Sequence, residues 1–278
     1  MIATTHRDAP TRTIDVGGTT FVYREIGGDS GVPVIFLNHL AAVLDNWDPR
    51  VVDGIAAHHR VITFDNRGIG ASGGRTPTTV AAMAGDTIAF IRALGLQKVD
   101  LLGFSLGGMV SQEIVAQHPQ LVRRLILAGT GPAGGAGIEK VTGVTISDTV
   151  KALLTGKDPK ENLFFTTTAN GKSEAKRFVA RLKERTADRD KSISPIAFRA
   201  QLKAIHAWGV ARPADLSRIT QPVLVANGED DRMVPTSNSY DLARRLPNAQ
   251  LKIYPDAGHG GIFQFHEQFV AEALKFLQ

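Results

Sequence analysis

Six short apolar runs, VPVIFLN, RVITFD, KVDLLGF, RRLILAG, PVLVANG and QLKIYPD, recur between Val32 and Asp256 and narrow what this chain can become. A strand with one wet face alternates apolar and polar residues. A continuous apolar run bounded by turn residues instead signals a strand covered on both faces. Helical patterns fill the gaps between runs. TTVAAMAGDTIAFIRALGL opens on threonines suited to capping and closes near Gly95, and SLGGMVSQEIVAQHP stops at a proline. SNSYDLARRLP and FHEQFVAEALKFL complete the set. Buried strands alternating with helices imply an α/β fold, with a mostly parallel central sheet, helices on both faces and right-handed crossovers. TRTIDV and TTFVYREIG, joined at Val16-Gly17-Gly18, read as a hairpin that adds an antiparallel edge.

The stretch 132–213 interrupts that rhythm. It holds no comparable apolar run but carries the helical patterns TISDTVKALLTG, KSEAKRFVARLKERTA and SPIAFRAQLKAIHAWG. In the last, Ser194 suits a cap and Pro195 the first helical position. The expected organisation is therefore a core from 1–131 and 214–278, with 132–213 inserted as a helical cap. A chain of 278 residues is long enough for such a core.

The formal charge of +5 suggests a nucleic-acid surface only if the basic residues cluster. Many lie in KSEAKRFVARLKERTADRDK, where acids are interleaved, which is the pattern of a solvated helix face. No nucleic-acid partner is expected. With no cysteine, disulfides and thiolate metal sites are excluded, and no other metal cluster stands out. Residues 1–13 are polar, without the apolar core of a signal peptide, and no run reaches transmembrane length. These features lead to the expectation of a cytoplasmic protein without a membrane partner.

The sharpest chemical signal is Gly103-Phe104-Ser105-Leu106-Gly107, placed between the run KVDLLGF and the helix LGGMVSQEIVAQ. A G-x-S-x-G turn in that context lifts the serine hydroxyl above the carboxyl end of a strand. Its neighbouring helix N-terminus offers unpaired N–H groups to a developing oxyanion. Serine attacks only when a base takes its proton. His259, between glycines after the last run, is the candidate base, whereas His58, His59, His118 and His266 lie at or on helices. The supporting acid belongs after PVLVANG, where Glu229, Asp230 and Asp231 stand in a row. The other strand end on offer, Thr130-Gly131-Pro132, holds no acid.

Taken together, these segments resemble the α/β-hydrolase fold family over essentially the whole chain. GFSLGG looks like the family's nucleophile turn and DAGHGG is similar to its histidine loop. FDNRGIGAS, residues 64–72, resembles its Asp-x-Arg-Gly-x-Gly-x-Ser segment, which supports the site wall. GEDDRMVP resembles the acid loop, Gly-x-x-Asp before Val-Pro, and that spacing implies Asp231. The resemblance thus implies a Ser105–His259–Asp231 triad. Alignment through Trp47-Asp48-Pro49 sets Asn38-His39 at the family's His-Gly, which implies Leu40 as one oxyanion-hole amide. Leu106, the residue after the nucleophile, supplies the other. His39 departs from the usual glycine and is expected to pack or to reach toward the site. The helical insertion resembles the family's cap, with Phe164, Phe165, Phe198 and Trp208 as candidate pocket residues.

The implied activity is acyl transfer to water without a cofactor. A small or medium carboxylic ester is the first expectation, with a lactone, an amide or a vinylogous C–C bond as alternatives. Related triads also support perhydrolysis of the haloperoxidase kind. A nucleophilic serine disfavours dehalogenase and epoxide-hydrolase chemistry, where an aspartate usually attacks. Because fold does not fix function, a ligand receptor with little turnover and a cofactor-independent lyase or oxygenase remain alternatives of another class.

Overall fold

The computed structural model describes residues 5–28 and 31–278. Eight strands form one sheet in the order β1-β2-β4-β3-β5-β6-β7-β8. Strands β1 (Arg12–Val16) and β2 (Thr19–Ile26) make the antiparallel edge, β2 pairing with β4 (Val61–Phe64). From β4 through β3 (Val34–Leu37), β5 (Val99–Phe104), β6 (Val122–Ala128), β7 (Val223–Gly228) and β8 (Ala249–Tyr254) every pairing is parallel. Every residue of β3, β4, β5 and β7 is buried, the result of covering both faces.

The run QLKIYPD predicts a strand covered on both faces, yet in β8 only Tyr254 is buried. The strand closes the sheet at its far edge. Its Gln250 and Lys252 face less crowded surroundings than an internal strand allows.

Helix α1 (Pro49–Ala56) starts on Asp48, whose side chain accepts the Arg50 N–H, and packs against α10 (His266–Leu277). Helix α2 (Val80–Ala93) is capped by Thr79 and closed by Gly95 at φ +76°, and packs against α3 (Leu106–Gln117). Between β6 and β7 come α4 (Val141–Leu154), α5 (Pro159–Phe164), α6 (Ala169–Arg181) and α7 (Pro195–Gly209). Ser194 caps α7 with Pro195 in its first turn, as its sequence indicated. Helices α8 (Ser237–Arg245) and α9 (Gly261–Gln264) complete the chain. No described helix is long and apolar enough to cross a membrane.

Two buried ionic groups tie the α4–α7 segment to the sheet domain. Arg181 on α6 grips both oxygens of Asp48 at 2.7–3.0 Å and donates to the Phe263 carbonyl. Arg24 on β2 pairs with Asp45 at 2.7 Å, which also takes the Asp190 backbone N–H at 2.8 Å. Both carboxylates are nearly inaccessible, so their charges are tolerated only because these partners are in place.

Candidate active site

Strand β5 ends at Phe104, and Ser105 follows at φ 56°, ψ −116°, a conformation non-glycine residues rarely adopt. The turn is held by the Ser105 N–H on the Ala128 carbonyl at 2.9 Å and by Thr130 Oγ1 on the Ser105 carbonyl at 2.8 Å. Close approach explains the flanking glycines. A Cβ on Gly107 would lie 2.0 Å from the Leu37 carbonyl oxygen, and one on Gly103 would lie 2.4 Å from that of Gly107.

His259 and Asp231 come from the loops after β8 and β7. His259 Nδ1 lies 2.8 Å from Asp231 Oδ2, and both side chains are almost wholly buried. Asp231 Oδ1 accepts the N–H groups of Met233 and Val234 at 2.8 and 3.0 Å. That arrangement picks Asp231 from the three adjacent carboxylates, since Glu229 and Asp230 are exposed. With Nδ1 engaged by a carboxylate, Nε2 is the nitrogen left to exchange a proton. Ser105 and His259 line one cavity of about 380 Å³, although the structure shows no direct hydrogen bond between them. Such contacts often tighten only once substrate is bound.

The loop after β3 forms the opposite wall. Asn38 anchors it by donating to the Phe64 carbonyl at 3.0 Å and accepting the Trp47 indole N–H. Asp65, from the FDNRGIGAS segment, accepts the Leu44 N–H at 2.9 Å. His39 carries no unusual φ; the left-handed position is Ala41, at φ 63°. Its N–H donates at 2.8 Å to Gln201 Oε1, from the fully buried Gln201 of α7. Among the described residues, neither the Leu40 nor the Leu106 N–H has an acceptor within the protein. Leu40 lines the same cavity as Ser105, and Leu106 follows the serine at the start of α3.

His39 is buried edge-on against Phe104 and Phe164, with ring centroids 5.4 and 5.1 Å away. Its Nδ1 lies 2.7 Å from the Leu40 carbonyl, so that nitrogen carries the proton and Nε2 does not. Burial, then the positive charge of Lys160, pushes its pKa down to about 3. His39 is thus a neutral packing group at the cavity floor.

Phe164 and Phe198 line the cavity. Phe165 and Trp208 do not line it. Phe165 packs on Phe178 at 5.5 Å and borders a second pocket with Asp231 and His259. Trp208 donates its indole N–H to the Gly131 carbonyl at 3.2 Å and borders a separate groove with Gln112 and Pro119. Residues not anticipated also line the cavity: Thr145 and Thr149 of α4, Lys160 and Leu163 of α5, Ile193 and Met233. The i, i+4 threonines and the Asp158-Pro159 helix start were the available signals. Leu163 and His259 also border the second, more polar pocket, which Asp231 and Thr166 share.

Residues 32–265 match the model of the α/β hydrolase fold family, and the chain belongs to that family. The chain is similar to an α/β hydrolase fold protein from Chitinophaga pinensis, at 40% identity and a TM-score of 0.93, with 98% of each chain covered. A protein of Agrobacterium fabrum named as a carbamate hydrolase, RutD, is 28% identical over 90% of this chain and 94% of its own length. A protein of Mycobacterium tuberculosis named as a non-heme bromoperoxidase, BpoC, is 30% identical over 89% and 94%.

Proposed function

We propose that this α/β hydrolase is a serine hydrolase acting on carboxylic acyl substrates, with small to medium esters foremost. The observation that carries the reading is the buried His259–Asp231 pair facing the same cavity as a strained Ser105.

Ser105 Oγ attacks the carbonyl carbon while His259 Nε2 takes its proton. Asp231 holds the Nδ1–H and offsets the imidazolium charge. The carbonyl oxygen, now an anion, accepts from the Leu40 and Leu106 N–H groups, a role that their lack of other acceptors supports. As the tetrahedral species collapses, the bond to the leaving oxygen breaks and His259 returns the proton to that oxygen. The alcohol departs, leaving an acyl ester on Ser105. Water then attacks with His259 again as base, releasing the acid and restoring the serine. No cofactor enters these steps.

Carbamates and lactones fit the same sequence of steps, and the similarity to the protein named as a carbamate hydrolase supports including them. The similarity to the one named as a bromoperoxidase supports hydrogen peroxide as an acyl acceptor in place of water, giving a peracid. A cavity of about 380 Å³ suits a small molecule.

The test is steady-state hydrolysis of p-nitrophenyl esters of increasing acyl length by wild type and Ser105→Ala. Many turnovers per molecule that vanish in the variant support a serine hydrolase. Equal rates in both proteins, or about one event per molecule, sink the reading in favour of a lyase or a receptor.

A further inference from the structure

The substrate cavity has an electrical asymmetry that acyl transfer does not require. Apart from its histidines, Lys160 is the one ionisable side chain lining it, and no carboxylate lines it among the described residues. The Lys160 side chain is only 23% exposed. Its nearest acid, Asp158 Oδ1, stands 3.6 Å away, beyond hydrogen-bond distance. That same oxygen already caps α5 by accepting the Lys160 backbone N–H at 2.9 Å. The ammonium is therefore loosely partnered, and its field reaches the cavity floor, where it helps to keep His39 neutral.

A second observation lies on α4, which lines the same cavity. Thr145 Oγ1 is buried without a hydrogen-bond partner, and Thr149, one turn further on, lines the same wall. A buried hydroxyl left unpaired is costly, so its presence in the lining of the same cavity as a loosely paired ammonium is a reason to look for a ligand. The two unpaired amides that would receive the carbonyl belong to the sheet domain, whereas Lys160 and Thr145 belong to helices of the 132–213 segment. A bound acyl chain would thus have its reacting carbonyl on the floor and its far end under these helices.

We propose that the cavity selects acyl substrates whose far end carries an anion, a carboxylate first, paired with the Lys160 ammonium and hydrogen-bonded by Thr145. The proposal rests on the acyl-hydrolase reading and adds a substrate class to it. The competing account is that Lys160 lays its methylene stem along the apolar wall and keeps its charge in water.

Binding to Ser105→Ala separates these accounts without needing turnover. The probes are the monomethyl and dimethyl esters of the same C6 to C8 dicarboxylic acid, measured by isothermal titration calorimetry. Ser105→Ala should bind the monoester about tenfold or more tightly than the diester, because a charge-assisted pair forms with one and not the other. That ratio should shrink as salt rises. Adding Lys160→Met, which keeps the stem, should bring it toward one, and adding Lys160→Arg should retain most of it. Equal affinities, a ratio that survives Lys160→Met, or no binding of either ester overturns the proposal. Failure of the hydrolase reading would appear separately, as absent turnover of the p-nitrophenyl series by wild type.

Discussion

Gln201 lies on α7, 160 residues from Ala41 in sequence, yet its amide oxygen holds the Ala41 N–H at 2.8 Å. Ala41 sits at φ 63°, a left-handed conformation that costs a non-glycine residue roughly 1–2 kcal/mol. Gln201→Leu removes the acceptor and leaves that strain unopposed, so the loop should relax and carry the neighbouring Leu40 N–H with it. The loss of stability should be small, about 1 kcal/mol or less. A lost neutral hydrogen bond is worth roughly that much, and leucine also removes a buried Gln201 Nε2 that has no partner. The catalytic effect should be larger. Losing one oxyanion donor outright costs about 10²–10³ in kcat, so partial displacement should cost roughly 10- to 100-fold with little change in KM. The assay is kcat and KM on p-nitrophenyl butyrate beside urea unfolding of the same protein. Adding Ala41→Gly, which accepts the left-handed conformation without strain, should restore part of kcat. A kcat within twofold of wild type in Gln201→Leu would refute the link from α7 to the oxyanion wall.

Arg181→Met should destabilise the fold by about 3–5 kcal/mol, read by chemical denaturation, because it strands the buried Asp48 carboxylate. Burial and the nearby Arg24 push His6 down to about 3, and burial does the same for His39, whereas both would ionise near 6.5 once unfolded. Their contribution is present above pH 6.5 and lost as pH falls toward about 3, by roughly 1.4 kcal/mol per pH unit for each imidazole. Urea midpoints between pH 7 and 4 should show this slope, and His6→Gln should flatten it. Burial, and then the adjacent Asp190, holds the Asp65 carboxyl well above the usual carboxylate range, so its ionisation penalty is absent below the unfolded pKa and grows as pH rises. Asp190→Asn should therefore raise the melting temperature at pH 7–8 and leave it unchanged near pH 4. A gain that is the same at both pH values would contradict this.

The sheet was legible because β3, β4, β5 and β7 are covered on both faces and their sequences are apolar throughout. β8 was misjudged as buried because Leu251 and Ile253 dominate its composition, while its exposed edge position is a property of the whole sheet. α5 went unnoticed because six residues are too few to display a period, and with it went Lys160 and Leu163. Ser105 and His259 could be read from strand–turn context. Choosing Asp231 over its two neighbours by geometry needed side-chain direction, which adjacent residues of like chemistry do not encode. The contact of Gln201 with Ala41 had no sequence signal at all, since both residues are ordinary where they stand and meet only through tertiary packing. Trp208 was assigned to the cavity for being aromatic on a helix of the insertion, but its indole N–H is satisfied elsewhere, at Gly131.

The central claim is that Ser105 is a nucleophile activated by His259. The most direct test is treatment with a fluorophosphonate, followed by intact-mass measurement and peptide mapping. The account predicts one adduct per chain, on Ser105, formed far more slowly in His259→Ala and absent in Ser105→Ala. No adduct, an adduct on another residue, or an unchanged labelling rate in His259→Ala would contradict it.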